Sequence, residues 1–397
     1  MKFIQRIYII LFCSTFFVAC ESEKKSENPL QDEITKVKSE FAPDKRVALF
    51  DLWAVKNNDA YILKGESNLP QAVTALKENL ESQNIAFVDS IQMLPSEALQ
   101  GKTHGVIKIS VANLRSKPGH SSELATQATL GTPVKVYKQD DNWYFIQTPD
   151  NYLAWVDRGG VELMDKKRAT DWKSFEKIIY TKTFGQSYSA SDTSSQVVSD
   201  MVAGAILEKI GQQNGFFEVR YPDGRLAFIY EREAQDYNLW LKNLEPTTES
   251  LVATSKTLMG LPYLWGGTSP KGVDCSGFTK TIYFLNGMVI PRDASQQVHS
   301  GKEVDSVRNF ENLEKGDLLF FGRQATDSTK EKVVHVGMWI GNNEFIHSSG
   351  RVHISSMDAN AENYDEYNRN RYLRSNRYLA DNKKGVIELT KTPLFKD

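Results

Sequence analysis

The sequence predicts a protein of the α+β class, built from several domains. Its 397 residues correspond to roughly two to four domains of ordinary size. Hydrophobic residues make up 40% of the chain and charged residues 25%, which is typical of folded proteins. A repeated set of strand-like segments in the middle of the chain indicates small β-domains, and amphipathic helical patterns occur on both sides of it.

The charge balance and the cysteine content exclude several kinds of function. Lys and Arg total 48 and Asp and Glu total 50, so there is no positive excess, and we expect no nucleic-acid partner. The three cysteines, Cys13, Cys20 and Cys275, are too few for a disulfide scaffold or for a zinc site made of cysteines alone. We expect no metal, no other cofactor and a monomeric protein.

The N-terminus resembles an export signal. Basic residues precede an apolar stretch, residues 7–18, which is too short to span a bilayer. A small residue and then Cys20 follow, which resembles the lipobox of bacterial lipoproteins. The resemblance implies that residues 1–19 are a signal peptide and that an acylated Cys20 anchors the protein to a membrane of the cell envelope, facing the periplasm. Residues 20–32 are then a polar tether. The alternative is a plain secretory signal with an incidental Cys20.

These assignments leave Cys275 as the only free thiol of the folded protein. A lone thiol in an oxidising compartment is prone to oxidation. Cys275 is therefore either a buried structural residue or a catalytic one, and its neighbours in the sequence have to decide between the two.

Residues 33–100 read as a small α/β segment. Residues 46–53 and 85–88 read as strands, and residues 69–83 as an amphipathic helix. We find no pattern of chemical interest here, so the segment is predicted to have a structural or positioning role.

The next stretch contains an internal repeat. Residues 131–156 align without a gap with residues 204–229, so that Trp143 matches Phe216. Short alternating strands separated by Gly-, Pro- and Asp-rich turns predict two small β-barrels, at residues 101–165 and 170–245. The first barrel resembles a bacterial SH3 domain, and the other one resembles a diverged copy of the first.

Two polar residues of the first barrel are replaced in the second copy. Gln196 stands at the position of Glu123, and Arg225 at the position of Tyr152. Because the core-like aromatic residues are kept, the barrel itself does not require Glu123 and Tyr152. They are either solvated surface residues or have a binding role specific to the first copy.

Cys275 precedes a helical run, residues 277–286, and Asp274 before it is suited to cap that helix. The unpaired N–H groups and the dipole of a helix start stabilise a thiolate. We therefore expect a pKa below the ordinary value of about 8.5 and a nucleophile that is available at neutral pH.

Residues 333–340 and 344–349 predict a β-hairpin that carries His335 and His347. A three-residue turn places both imidazoles on one face, whereas a two-residue turn places them on opposite faces unless a bulge intervenes. A metal bound by this pair is disfavoured, because no third ligand is evident nearby. The other four histidines lack such neighbours and are expected at the surface.

Four motifs occur in order: G-x-P-Y-x-W-G-G at 260–267, D-C-S-G-F at 274–278, P-R-D-A-S at 291–295, and H-V-G at 335–337 with His347 twelve residues after His335. Together they resemble the NlpC/P60 family of cell-wall cysteine peptidases. The resemblance implies a papain-like α+β fold for residues 250–397, in which the helix that starts at the nucleophile packs on an antiparallel sheet.

The resemblance also implies the catalytic roles. Cys275 is the nucleophile, His335 the base and His347 the residue that orients the base. Tyr263 helps to stabilise the oxyanion of the tetrahedral intermediate, together with the backbone N–H of Cys275.

Two SH3-like domains before this catalytic domain resemble a subgroup that trims murein peptides with a free N-terminal L-Ala. In that subgroup an acidic residue of the P-R-D-x-S motif, here Asp293, binds the free ammonium, and the first SH3 domain helps to close the pocket. Glu123 and Tyr152 would complete that pocket. For Arg292 and Asp293, a surface ion pair is the alternative. The remaining candidates for substrate binding are Ser276, Asp274 and Trp265.

The expected reaction is hydrolysis of the γ-D-glutamyl–diamino acid bond of peptidoglycan stem peptides, as in the recycling of murein peptides. The sequence does not identify the diamino acid. Three other functions stay open: a general endopeptidase on intact peptidoglycan, a non-catalytic wall-binding lipoprotein, and a transferase or amidase with the same triad.

Overall fold

A computed structural model describes residues 29–57, 60–380 and 384–395. The signal peptide and the lipid-bearing Cys20 expected from the sequence lie outside these residues. Within the described ranges, no helix combines the length and the apolar character needed to cross a membrane.

The first part of the chain forms a three-stranded sheet, sheet A, covered by two helices. Its elements are α1 (Pro29–Phe41), β1 (Phe50–Asn57), β2 (Ala60–Ser67), α2 (Pro70–Ser82) and β3 (Phe87–Met93). β1 and β2 are antiparallel, whereas β2 and β3 are parallel and are joined through α2, as a parallel pair requires. Leu30, Leu63 and Leu76 are fully buried between the helices and the sheet. The expected tether overlaps the beginning of α1, which starts at Pro29.

The next part forms a seven-stranded antiparallel sheet, sheet B. Its strands are β4 (His104–Ile107), β5 (Val111–Arg115), β6 (Leu124–Thr129), β7 (Pro133–Asp140), β8 (Trp143–Gln147), β9 (Leu153–Asp157) and β10 (Val161–Met164). They lie in the order β10-β4-β7-β8-β9-β5-β6. Leu114, Val136 and Ile146 are fully buried in its core, as expected for strands whose apolar residues alternate.

After α3 (Lys166–Ser174), the second copy of the repeat forms sheet C. Its strands are β11 (Lys177–Tyr180), β12 (Phe184–Tyr188), β13 (Val197–Val202), β14 (Ile206–Gln213), β15 (Phe216–Arg220), β16 (Leu226–Tyr230) and β17 (Ala234–Asp236). Their order, β17-β11-β14-β15-β16-β12-β13, is that of sheet B strand for strand. The repeat seen in the sequence therefore corresponds to two sheets of identical topology.

The C-terminal part packs helices against a six-stranded antiparallel sheet, sheet D. Its elements are α4 (Tyr237–Lys242), α5 (Thr248–Thr257), β18 (Thr268–Ser269), β19 (Gly272–Val273), α6 (Cys275–Leu285), β20 (Met288–Val289), α7 (Ala294–Gln297), β21 (Lys302–Asp305), β22 (Leu318–Arg323), β23 (Lys332–Gly341), β24 (Glu344–Ser349), β25 (Arg351–Ser356), α8 (Glu366–Asn370), β26 (Tyr372–Arg377) and β27 (Ile387–Glu388). Sheet D has the order β21-β26-β22-β23-β24-β25. α6 buries Phe278 and Ile282 in one core with Val336 and Ile346 of the sheet.

Polar contacts hold sheet B against the C-terminal part. The side-chain oxygen of Gln127 accepts hydrogen bonds from the backbone N–H of Thr268, at 3.0 Å, and from the hydroxyl of Ser269, at 2.8 Å. On the same side, Lys280 of α6 forms an ion pair with Asp150 at 2.8 Å. These contacts fix the position of sheet B relative to α6. The sheet and the helix form two walls of a cleft, which is described below.

Candidate active site

The helix α6 begins at Cys275, and its start is held by a capping residue and by a close backbone contact. The Oδ1 atom of Asp274 accepts a hydrogen bond from the N–H of Gly277 at 2.7 Å. A Cβ atom at Gly277 would lie 1.9 Å from the carbonyl oxygen of Gly267, so only glycine permits this approach. The backbone around Cys275 is therefore fixed before any ligand binds.

Asp274 is also paired with a buried arginine. The Nη2 atom of Arg292 lies 2.6 Å from Asp274 Oδ2, and Nη1 lies 3.1 Å from Oδ1. Oδ2 accepts a further hydrogen bond from the N–H of Gly266 at 2.9 Å. Because donors of the chain itself occupy both oxygens, the geometry favours a positioning role for Asp274 over direct contact with a substrate.

The surface ion pair considered for Arg292 and Asp293 is not what the structure shows. The side chain of Arg292 is 1% exposed and lies 3.9 Å from Asp293, whereas its bidentate partner is Asp274. Arg292 is thus an organising residue of the site, a role that sequence reasoning missed. Its position inside the P-R-D-A-S motif was the available signal.

β23 and β24 bring His335 and His347 together. Their turn has two residues, Asn342 and Asn343, both with positive φ, and a bulge between Trp339 and Gly341 shifts the register. This is the arrangement in which a two-residue turn still leaves both imidazoles on one face. His335 Nε2 lies 2.7 Å from His347 Nδ1, with the ring planes inclined at 78°.

The glycine that follows in the H-V-G motif makes room for this pair. A Cβ atom at Gly337 would lie 2.7 Å from the ring of Phe345 and 3.2 Å from the Cβ of His347. A larger residue would push β24 and its histidine away from β23.

Three further side chains surround His347. Its Nε2 atom lies 3.1 Å from the hydroxyl of Ser355 and 4.0 Å from a carboxylate oxygen of Asp365. The ring of His353, its partner across β24 and β25, lies 4.4 Å away between centroids. His353 was expected at the surface, but it is partly buried against His347.

Burial controls the charge of the nucleophile and of both histidines. Cys275 is 8% exposed, and burial together with the nearby Asp274 raises the pKa of its thiol to about 12. The N–H groups of Val336 and Ser276 act in the opposite direction, but more weakly. The expectation of a lowered pKa was therefore wrong for the free protein, because desolvation outweighs the helix start.

The pKa values of the two imidazoles are lowered, whereas that of the thiol is raised. Burial and the neighbouring His347 bring the pKa of His335 well below its ordinary value. Burial and the neighbouring His353 lower the pKa of His347 to about 3. At neutral pH these directions favour an uncharged Cys275 thiol and two uncharged imidazoles in the free protein.

Tyr263 lies beside the nucleophile at the rim of the cleft. Its backbone N–H donates to the carbonyl of Gly350 at 3.0 Å, which ties the residue to the end of β24. Burial, with Cys275 and Asp274 nearby, raises the pKa of the Tyr263 hydroxyl to about 12. The phenol therefore keeps its proton at neutral pH and can donate it in a hydrogen bond.

Cys275 opens into a cleft of about 580 Å³ between sheet B and the C-terminal part. Among its lining residues are seven of the sequence-predicted ones besides Cys275, namely Glu123, Tyr152, Tyr263, Trp265, Asp274, Ser276 and Asp293. The structure thus brings together residues that are as far apart in the sequence as Glu123 and Asp293. His335 and His347 are buried and are not among the residues that line the cleft.

Glu123 and Trp265 face each other across the open rim of the cleft. The indole Nε1 atom of Trp265 donates to Glu123 Oε1 at 2.8 Å, and Trp265 is 63% exposed. In the second copy of the repeat, Arg225 stands at the position of Tyr152, and it binds Asp223 outside this cleft. The two residues that distinguish the copies therefore line the cleft only in the first.

Ser276 is buried and already hydrogen bonded. Its hydroxyl lies 3.2 Å from Asp274 Oδ1 and accepts from Arg292 Nη1 at 3.0 Å. It lines the cleft next to Cys275, and a hydroxyl oxygen has one further position for accepting a hydrogen bond.

Asp293 also lines the cleft, and one of its carboxylate oxygens has two hydrogen-bond partners. Its Oδ2 atom accepts from the hydroxyl of Tyr152 at 3.3 Å and from Nη1 of Arg46 at 2.7 Å. Arg46 comes from the N-terminal segment, in which the sequence showed nothing of chemical interest. No signal within a single sequence relates a loop residue to a site almost 250 positions away.

The arrangement does not resemble a metal centre. Within residues 29–57, 60–380 and 384–395, no three His, Cys, Asp or Glu side chains converge in a way that could hold a metal ion.

Comparison with protein families gives two matches. Residues 260–374 match the NlpC/P60 family, and residues 114–160 match a domain described as the bacterial dipeptidyl-peptidase SH3 domain. The first match includes Tyr263, Cys275, His335 and His347, and the second covers Glu123 and Tyr152.

Individual relatives match more than half of the chain. The chain is 31% identical over 269 residues to a γ-D-glutamyl-L-lysine dipeptidyl-peptidase of Bacillus cereus, which covers 66% of this chain and 77% of that protein. It is 30% identical over 228 residues to the Bacillus subtilis protein of the same name, covering 57% of this chain and 72% of the relative. The crystal structure of an NlpC/P60 family protein from Bacillus cereus superimposes with a TM-score of 0.59 at 27% identity, covering 70% of this chain and all of that one.

Proposed function

Because this chain belongs to the NlpC/P60 family of cysteine peptidases, we propose that it hydrolyses the γ-D-glutamyl–diamino acid bond of peptidoglycan stem peptides with a free N-terminal L-Ala. The observation that carries the proposal is that Cys275 and the carboxylate-bearing Asp293 line the same cleft. The names of the two Bacillus relatives support L-lysine as the diamino acid.

The first half of the reaction forms a thioester. The sulfur of Cys275 attacks the γ-carbonyl carbon of D-Glu while its proton passes to His335. His335 then gives this proton to the amine of the diamino acid as the C–N bond breaks. The D-glutamyl group stays on the sulfur, and the diamino acid leaves.

The second half releases the product. His335 takes a proton from a water molecule, and the oxygen of that water attacks the thioester carbonyl. Collapse of the intermediate breaks the C–S bond and returns the proton to the sulfur. The products are L-Ala-γ-D-Glu and the regenerated thiol of Cys275.

The negative oxygen of each tetrahedral intermediate needs hydrogen-bond donors. We assign this role to the hydroxyl of Tyr263 and the backbone N–H of Cys275. The raised pKa of Tyr263 supports the assignment, because only the protonated phenol can donate.

The cleft also supplies the counter-charge for an ammonium group. Burying an ammonium without a negative partner costs several kcal/mol. Asp293 and Glu123 provide carboxylates on two walls of the cleft, and Tyr152 adds a phenol that is bonded to Asp293. Ser276 and Trp265 are assigned to the D-Glu residue, since both line the cleft beside Cys275.

We place the reaction at the cell envelope, with the protein anchored by a lipid on Cys20. The short apolar stretch at residues 7–18 and the small residue before Cys20 support this. Peptide products of wall turnover then reach the cleft outside the cytosol, which fits a role in murein peptide recycling. Replacement of Cys20 by Ala should move the protein from the membrane fraction to the soluble fraction.

Mass spectrometry of reaction products tests the proposal. The substrates are L-Ala-γ-D-Glu-L-Lys, its diaminopimelate analogue and the N-acetylated form of each. The expected product is L-Ala-γ-D-Glu from the free peptides, with none from Cys275→Ala. Asp293→Asn, which keeps the shape of the side chain, should reduce kcat/KM on the free peptides about 100-fold or more and change the N-acetylated ones little.

Three outcomes would contradict the proposal. Turnover by Cys275→Ala would remove the assigned nucleophile. Equal losses of Asp293→Asn on free and N-acetylated peptides would remove the ammonium site. Digestion of intact sacculi as fast as free tripeptide would instead identify a general endopeptidase.

A further inference from the structure

A loop of the N-terminal segment, residues 43–47, lies at the end of the cleft; we call it the end loop. From this loop, Arg46 extends to the C-terminal part of the chain. Its Nη1 atom donates to Asp293 Oδ2 at 2.7 Å and to the hydroxyl of Ser295 at 2.9 Å. Arg46 thus binds the carboxylate that is proposed to receive the substrate's ammonium.

The end loop is attached to both walls of the cleft. On the side of sheet B, the carbonyl of Arg46 accepts from the N–H of Leu153 at 2.7 Å, and that of Val47 accepts from the side-chain amide of Gln147 at 3.1 Å. On the other side, the amide of Gln296 donates to Asp44 Oδ2 at 2.8 Å. The loop therefore bridges the two walls and closes the cleft beyond Asp293.

The charge of Arg46 is balanced within the loop itself. Asp44 accepts from the Nε atom of Arg46 at 2.8 Å and from Nη2 at 2.7 Å, a bidentate pair. Since Asp44 and Arg46 together are neutral, Arg46 binds Asp293 without cancelling its negative charge. Asp293 can be held in place and still attract a cation.

We propose that the end loop, through Arg46, sets the specificity for releasing dipeptides. The loop occupies the space that the chain of a longer substrate needs beyond its L-Ala residue. A peptide with an additional group on that nitrogen would have to displace Arg46 from Asp293 and Ser295. The inference rests on the proposed function, because it explains why the cleft accepts two residues before the scissile bond and no more.

The experiment compares three peptides: L-Ala-γ-D-Glu-L-Lys, its N-acetylated form, and a form extended by an N-terminal glycine. Arg46→Ala should raise the ratio of kcat/KM on the blocked or extended peptide to that on the free one by about tenfold or more. Arg46→Lys, which keeps one charged donor, should give an intermediate ratio.

Arg225→Ala is the matched control. Arg225 donates two hydrogen bonds to Asp223, as Arg46 does to Asp44, but Arg225 lies outside the cleft. This variant should leave the ratio unchanged. Arg46→Met keeps the aliphatic stem of the side chain and gives the same readout if Arg46→Ala does not fold.

The inference is overturned if Arg46→Ala or Arg46→Met cleaves the free tripeptide and the ratio stays at the wild-type value. Failure of the proposed function looks different, since the wild-type protein would then release no dipeptide from any of the three peptides.

Discussion

The Nε2 atom of His335 lies 2.7 Å from the Nδ1 atom of His347, and the Nε2 atom of His347 lies 3.1 Å from the hydroxyl of Ser355. If each Nε2 carries the proton and donates along this chain, Nδ1 of His335 is left without one. In the reaction proposed above, that nitrogen accepts the proton of Cys275. With the protons placed in this way, His335 has the tautomer that the proposed reaction requires of its base.

His347→Ala removes the acceptor that holds this form of His335. We expect kcat to fall by about 10²–10⁴-fold, the usual contribution of a positioned general base, with a much smaller change in KM. His347→Asn keeps a side-chain carbonyl that can accept from His335 and should retain more activity than His347→Ala. Steady-state kinetics on the free tripeptide measure both. Equal activity of the Ala and Asn variants would contradict an orienting role.

The pH dependence of kcat/KM follows from the direction in which the pKa of His335 is shifted. His335 acts as a base only when it is neutral, and burial lowers its pKa, so it stays neutral below the ordinary value of 6.5. The acid limb of kcat/KM should therefore lie below pH 6.5. A profile between about pH 4.5 and about pH 8 locates it. An acid limb above pH 6.5 would contradict an uncharged His335 in the free enzyme.

The raised pKa of Cys275 predicts slow chemical modification of the free enzyme. With a pKa of about 12, the thiolate is scarce at neutral pH, and alkylation by iodoacetamide should be slower than in the unfolded chain. Mass spectrometry of the folded and the urea-unfolded protein at the same pH compares the two rates. Faster alkylation of the folded protein would mean that the thiol is ionised at rest.

Arg292→Met tests the buried pair that holds the helix start. It leaves the carboxylate of Asp274 buried without its charged partner, and we expect a loss of about 3–5 kcal/mol in the free energy of unfolding. Arg292→Met combined with Asp274→Asn should recover part of this loss, because no buried charge is left unpaired. Arg225→Met at an exposed pair should cost less than about 1 kcal/mol. Urea unfolding measures all three. A loss as small as that of Arg225→Met would contradict the assigned role.

The sequence was sufficient to predict those features that depend on residues close together in the chain. The cap at Asp274, the start of α6 at Cys275 and the hairpin carrying His335 and His347 all depend on residues a few positions apart, and the structure has each of them. The register of the hairpin could not be predicted in full, because it depends on a bulge beside Gly341 that the sequence does not reveal.

The features that could not be predicted from the sequence depend on tertiary packing. The direction of the Cys275 pKa shift reverses because α6 is buried against sheet D, and local helix electrostatics do not reveal that burial. Arg46 and His353 were missed for a similar reason. Each acquires its role from a partner on another strand or in another part of the chain, Asp293 for Arg46 and His347 for His353.

Tyr263→Phe separates a role in the transition state from a role in binding or packing. Among the described residues, the Tyr263 hydroxyl has no hydrogen-bond partner, so its removal should leave the free energy of unfolding within about 0.5 kcal/mol of wild type. If that hydroxyl stabilises the oxyanion, kcat should fall about 10²–10³-fold with KM nearly unchanged.

Tyr152→Phe is the matched control, because it removes a hydroxyl bonded to Asp293 at the other end of the same cleft. It should raise KM for the free tripeptide and leave kcat almost unaltered, since the proposed ammonium site would bind its group equally in the ground state and the transition state. Removal of the hydroxyl is therefore expected to lower kcat at Tyr263 and to raise KM at Tyr152. A loss in Tyr263→Phe that appears only in KM would assign that hydroxyl to substrate binding and leave the backbone N–H of Cys275 as the donor to the oxyanion.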